Sequence, residues 1–247
     1  MLSLTKSDKV VGEERSCLSS IVTTKHTYNR KGEEMSEAIS LPKIGDPAPD
    51  FTAMTTHGEI TFSNWADKSW VVLFSHPADF TPVCTTELVE FAKRKDDFGK
   101  RNVKLIGLSI DSIHAHLAWT QNIKEKLKVE IPYPLVADLN MAVAHKYGMI
   151  HPGASATATV RAVFLIDPKK TIRAIIYYPM TNGRNIDEII RLMDSLQTSE
   201  EHACATPVNW NPGEQVIVPP PKTEKEVADR LASNYEKTDF YLCKKSL

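Results

Sequence analysis

Two short runs, "WVVLFSH" (70–76) and "VKLIGLSID" (103–111), are β-branched and apolar with almost no polar alternation, as is typical of strands covered on both faces. Between them "TTELVEFAKRKDDFGK" (85–100) carries Leu88, Phe91 and Phe98 near helical spacing and ends at Gly99. Strand, helix, strand commits the chain to a layered α/β fold with parallel pairing in its sheet. The segments that follow agree. "DSIHAHLAWTQNIKEKL" (111–127) reads as a second helix behind Asp111 or Ser112, "YPLVAD" (133–138) as a strand, and "NMAVAHKYG" (140–148) as a short helix closed by Gly148. "TVRAVFLID" (159–167) and "TIRAIIYYP" (171–179), joined by "PKK", read as an antiparallel hairpin, and "NIDEIIRLMDSLQ" (185–197) as a helix with Asn185 at the N-cap and Glu188 at N3. Parallel and antiparallel strands with interleaved helices predict a thioredoxin-like fold, a mixed sheet flanked by helices.

The chain of 247 residues, 42% of them hydrophobic, can fill one substantial core. Near Thr198 the composition shifts: "NWNPGEQVIVPPPKTEKEVADRL" (209–231) has a triple proline, which favours extended backbone, then Thr223 and Glu226 at capping-box spacing. The predicted organisation is a leader over 1–40, a main domain over 41–199 and a C-terminal arm or subdomain over 200–247 that packs on a partner subunit. The leader is polar and lacks the apolar segment of about 7 to 15 residues that marks a secretory signal. "KGEE" before Met35 is what a purine-rich ribosome-binding site encodes when translated. Met35 as the true start therefore stands beside an ordinary disordered tail, and a native peptide from upstream of Met35 would exclude it. The 30 Lys plus Arg nearly cancel the 31 Asp plus Glu, which argues against a nucleic-acid partner, and no apolar run approaches the roughly 18 residues of a membrane span. Cys17, Cys84, Cys204 and Cys243 lie far apart with no C-x-x-C pair, against zinc ribbons and dithiol motifs and in favour of a reducing, cytoplasmic setting.

The cysteine in "HPADFTPVCTTEL" (76–88) has a specific local setting. With Thr81 as N-cap and Pro82 at N1, Cys84 falls at N3, where free backbone N–H groups and the macrodipole favour a negative charge on the reactive thiolate. Thr81 shares its face of the turn, so its hydroxyl is placed to donate to the sulfur or to an atom approaching it. Pro77 fixes the bend between strand and helix. The same cysteine read without its neighbours is a small buried hydrophobe behind an ordinary cap. His114 and His116 form H-x-H on a helix and so point to different faces, which argues against a metal site there.

"PADFTPVCTTE" contains Pro-x-x-x-Thr-x-x-Cys and resembles the active-site loop of the peroxiredoxins, thiol-dependent peroxidases of thioredoxin-like fold. "GDPAPDF", "LIGLSIDS", "TVRAVFLID", "YYPMTNGRNIDEI" and "VNWNPGEQVIVPPP" follow in the order of the one-cysteine-like branch, which includes archaeal thioredoxin peroxidases, and the resemblance runs from about 43 to about 243. It implies that Cys84 is the peroxidatic cysteine, that Thr81 and Pro77 belong to its pocket, that Arg161 is the essential arginine, and that Arg184 is a further arginine behind it. His76 resembles the family's pocket histidine; on the residues alone it serves equally as a donor anchoring the loop. Glu87 either pairs with an arginine or supports the first helical turn. Arg161 interrupts an apolar strand, so a buried partner is expected for it. A guanidinium stays charged and matches peroxide geometry in a way that lysine does not.

Attack on hydrogen peroxide or an organic hydroperoxide leaves a sulfenic acid that a second thiol must capture. "TDFYLCKK" (238–245) resembles the distal resolving cysteine of archaeal thioredoxin peroxidases. Cys243, on a flexible C-terminal segment able to cross a dimer, is therefore the expected resolver, ahead of Cys204. A thioredoxin-like or glutaredoxin-like dithiol would then complete turnover. The alternative is a one-cysteine cycle with direct reduction. No cofactor is needed, since the redox chemistry resides in sulfur. A homodimer, or a ring of dimers such as a decamer, is the expected assembly. Competing functions are an oligomeric holdase chaperone, a peroxide sensor, and a lipid hydrolase, for which the only serine at the matching place, Ser69, lacks the Gly-x-Ser-x-Gly context.

Overall fold

The computed structural model describes residues 41–247 and, ahead of them, a two-residue antiparallel ladder of β1 (Thr27–Tyr28) with β2 (Glu34–Met35). The expectations for the rest of the leader, including the start-site question and Cys17, lie outside the described residues.

Seven strands form one mixed sheet in the order β4-β3-β7-β6-β5-β8-β9. At its centre β6 (Val103–Ser109) runs parallel to β5 (Trp70–Ser75), which is buried along its whole length, as the two apolar runs require. β7 (Leu135–Ala137) continues the parallel part; β8 (Arg161–Ile166) pairs antiparallel with β5, and β9 (Ile172–Tyr178) closes the predicted hairpin. Successive β5 residues feed opposite cores. Val72 and Phe74 pack with Leu88, Phe91, Trp119 and Met193, whereas Val71 and Leu73 pack with Phe62, Tyr147 and Phe164. Gly107 of β6 lies so close to Phe74 and Leu135 that a Cβ there would sit 2.6 Å from Leu135 Cδ2, so the tight layer demands glycine.

The helices are α1 (Phe62–Ala66), α2 (Pro82–Lys93), α3 (Lys95–Gly99), α4 (Ile113–Leu127), α5 (Ala142–Lys146) and α6 (Ile186–Glu201). Ser112 and Asn185 cap α4 and α6 by accepting from Ala115 and Glu188 backbone N–H groups, and Gly148 adopts φ +64° just past α5. The helix expected over 85–100 divides at Arg94 into α2 and α3. The antiparallel hairpin β3 (Thr52–Thr55) and β4 (Gly58–Thr61) has no counterpart in the sequence reading; its strands are half exposed and lack clean alternation.

After 200 the chain is also more ordered than an arm. A second sheet of order β10-β12-β11 joins β10 (Val216–Ile217), β11 (Glu236–Asp239) and β12 (Leu242–Lys245), with α7 (Glu224–Ala232) between its first two strands. Thr223 caps α7 as its spacing predicts, accepting from the Glu226 N–H at 3.2 Å, yet α7 buries none of its residues. Among the described residues no helix is long and apolar enough to cross a membrane.

Candidate active site

The bend from β5 to α2 brings the candidate residues together. Thr81 is the N-cap of α2 in extended conformation, Pro82 opens the helix, and Cys84 is its third residue, fully buried. Phe80, just before the cap, has φ +55°, a left-handed conformation that costs an aromatic residue about 1 to 2 kcal/mol. That turn swings the chain from the Asp79 anchor into the helix. Asp79 is held from two sides: its backbone N–H donates to Asp111 at 3.1 Å, and its carboxylate meets His76 and His116.

The Thr81 hydroxyl behaves differently from the expectation. It donates to the Ala78 carbonyl at 2.8 Å, so its single proton is spent within the bend. Its lone pairs are what remain to accept a proton from an arriving group.

Behind the sulfur lies a closed ionic cluster. Arg161, the first residue of β8, donates from Nη1 both to Cys84 Sγ at 3.3 Å and to Glu87 Oε2 at 2.7 Å, while its Nε and Nη2 are fixed by the Met180 carbonyl at 3.0 and 2.6 Å. Arg184 grips the same carboxylate with its backbone N–H and Nε on Oε1, at 2.9 and 2.8 Å, and Nη2 on Oε2 at 2.7 Å. Its Nη1 donates to the Ser75 and Ala162 carbonyls, and its guanidinium lies 5.1 Å over the Phe74 ring. All three charged residues are buried. One carboxylate faces two guanidiniums, which leaves one positive charge uncompensated beside Cys84 Sγ. Glu87 therefore pairs with both arginines rather than serving the helix terminus.

His76 directly follows β5 as a fully buried ring, its Nε2 2.9 Å from Asp79 Oδ1. Burial pushes its pKa below the ordinary 6.5 against the opposing pull of Asp79, so the ring is neutral. His114 and His116 do part company on α4, one exposed and one buried. His116 joins Asp79, a partnership not visible in the sequence because 37 residues separate them. His76, Asp79 and His116 are the cluster of potential metal ligands among the described residues. Their hydrogen bonds to one another already fill it.

The other cysteines stand apart from this arrangement. Cys204 follows the C-cap of α6, half-buried, its thiol 3.7 Å from the Thr198 carbonyl. Cys243 is fully buried in β12, the middle strand of the second sheet, and its thiol donates to the Asp239 carbonyl at 3.3 Å. The flexible segment expected to carry it is thus a paired strand. Ser69 is a turn residue bonded to Asn102, 3.1 Å away.

Residues 44–175 match the AhpC/TSA family, and residues 195–234 match the C-terminal domain of 1-Cys peroxiredoxin. The chain belongs to the peroxiredoxins. This peroxiredoxin is 56% identical to one from Aquifex aeolicus over 85% of its own length and all of the relative's. It is 50% identical to one from Methanosarcina mazei over 83% of this chain and 98% of that one. Among solved structures it resembles a yeast mitochondrial 1-Cys peroxiredoxin whose thiol is resolved via glutathione/thioredoxin systems, with TM-score 0.76 and 43% identity across 84% of this chain and 100% of that one. It also resembles a serine mutant of peroxiredoxin 6 of Arenicola marina, with TM-score 0.75 and 40% identity across 83% and 97%. As a peroxiredoxin the protein is a thiol-dependent peroxidase of thioredoxin-like fold.

Proposed function

We propose that this peroxiredoxin reduces hydrogen peroxide and small organic hydroperoxides through Cys84. The thiolate attacks one peroxide oxygen in line with the O–O bond, forming S–O as O–O breaks; the sulfur is oxidised to a sulfenic acid, and the other oxygen leaves with the electron pair and takes a proton to become water or an alcohol. The observation that carries this reading is the Arg161 Nη1 atom shared between Cys84 Sγ and Glu87. It holds a cation against the sulfur before reaction and beside the leaving oxygen during it. Thr81, its proton given to Ala78, accepts from the peroxide O–H; Pro77 shapes the bend; His76, Glu87 and Arg184 are accessory, the last two by holding Arg161 in place.

The peroxidase domain is assigned to 41–199 and the C-terminal region to 200–247, with a cytoplasmic homodimer or ring of dimers as the working assembly. For the second half of the cycle, Cys243 of a partner subunit resolves the sulfenic acid, ahead of Cys204, and a thioredoxin-like or glutaredoxin-like donor reduces the disulfide. A second reading is favoured by one observation: Cys243 is fully buried with its thiol given to a carbonyl, so it must leave β12 before it can attack. On that reading an external thiol reduces Cys84 directly.

The deciding experiment is peroxide consumption by wild type, Cys84→Ser, Cys204→Ser and Cys243→Ser, with a thioredoxin system and with glutathione, alongside non-reducing gels. Turnover lost in Cys84→Ser, with the crosslinked dimer lost only in Cys243→Ser, supports the two-cysteine cycle. Full turnover without crosslinks in Cys243→Ser supports direct reduction. Undiminished turnover in Cys84→Ser sinks the proposal.

A further inference from the structure

Across the bend from the ionic cluster lies a chain of three buried side chains. Asp79 presents Oδ1 to His76 Nε2 at 2.9 Å and Oδ2 to His116 Nδ1 at 2.7 Å, and the far nitrogen of His116 reaches the Val136 carbonyl at 3.0 Å. The protons follow from the partners. A carbonyl only accepts, so His116 Nε2 bears a hydrogen. Burial pushes the Asp79 carboxyl up, but hydrogen bonds from His116 and His76 outweigh it and hold the group below its ordinary value, as a carboxylate. A carboxylate also only accepts, so His76 Nε2 carries the hydrogen of that bond, and the ring, neutral, has its one proton there.

That leaves His76 Nδ1 as a bare lone pair. The atom is buried and, among the described residues, has no hydrogen-bond partner. Leaving a buried acceptor unsatisfied costs about 1 to 3 kcal/mol, which an incoming donor would recover.

We propose that Asp79 and His116 are positioning residues for the peroxidase reaction, fixing His76 as its Nε2–H tautomer so that, with Thr81 accepting from one O–H of hydrogen peroxide in the bend, the bare Nδ1 accepts from the other. This rests on the reading of His76 as an accessory group at the Cys84 site. His116 acts from α4 and Asp79 from the bend itself, so the pair also ties the orientation of the ring to the element that carries Phe80 and Thr81.

The test combines ring-nitrogen NMR with two rates on the full-length protein: the reaction of Cys84 with hydrogen peroxide, and its alkylation by iodoacetamide. In wild type the His76 ring is expected with Nε2 protonated and Nδ1 bare. Asp79→Asn, whose amide can donate as well as accept, should disturb the His76 tautomer and slow the peroxide reaction roughly a hundredfold, the low end of what a positioned proton acceptor contributes. Alkylation, which offers no hydroxyl proton to Nδ1, should stay near the wild-type rate. An unchanged tautomer in Asp79→Asn, or peroxide and alkylation rates that fall in step, would overturn the proposal. Should that variant not fold, His116→Asn is read in the same way, with a smaller fall because the Asp79 bond to His76 survives. If wild type consumed no peroxide through Cys84, the functional reading would fail, and the ring-nitrogen spectra would still decide whether the tautomer is fixed by Asp79.

Discussion

Cys84 and Cys243 are both fully buried, and there the likeness ends. Cys84 receives a hydrogen bond from the Arg161 guanidinium, in a cluster one negative charge short of balance. Cys243 gives its hydrogen bond to a backbone carbonyl in the middle of a small sheet, with no cation beside it among its hydrogen-bond partners in the described residues. Burial alone therefore does not distinguish the two sulfurs; the charge that their neighbours offer does.

The comparison breaks most visibly if the two sulfurs turn out interchangeable. Cys84→Ser should abolish peroxide consumption, whereas Cys243→Ser should leave the first turnover, followed in a rapid-mixing experiment, at the wild-type rate. Next comes the cation: Arg161→Lys keeps the charge but loses the fork that spans Met180, Glu87 and the sulfur, and should slow the peroxide reaction about a hundredfold. Glu87→Gln leaves two buried guanidiniums without their carboxylate and should cost roughly 3 to 5 kcal/mol in a urea titration, a loss that no substitution in α7 could match. Thr223→Ala, removing only the cap of a helix that buries nothing, should cost about 1 kcal/mol or less and leave peroxide kinetics untouched.

Acid should also separate the two regions. Because His76 is depressed in the fold, its contribution to stability is complete above its ordinary 6.5 and is lost as pH falls through that value toward the folded one. Asp79, likewise depressed, adds a second loss below its ordinary 3.8. Melting temperatures should fall below pH 6.5, and His76→Phe should flatten that first descent; an equally steep descent in the variant would place the titrating group elsewhere.

What the sequence made legible was local. Thr81, Pro82 and Cys84 announce a helix start within four residues, and the apolar runs at 70–76 and 103–111 announce the central strands, because caps and burial patterns act over a few positions. The pairing of Arg161 and Arg184 with Glu87 was half legible: an arginine in an apolar strand demands a partner but does not say which. Asp79 with His116 was hidden, since only the topology brings α4 over the bend. The second sheet was hidden for another reason. "EKTD" and "LCKK" are short and charged, with no alternation to mark them as strands.

The divided hydrogen bond of Arg161 has a consequence on the proposed cycle. Conversion of the thiolate to a neutral sulfenic acid removes one negative charge from a site that water does not reach, and the surrounding residues are left with a surplus cation. An unpaired charge in such a place costs several kcal/mol, which relaxes if the first turn of α2 opens to solvent. On the proposed cycle the closed first turn of α2 is thus conditional on the charge at a single atom, which the reaction itself removes.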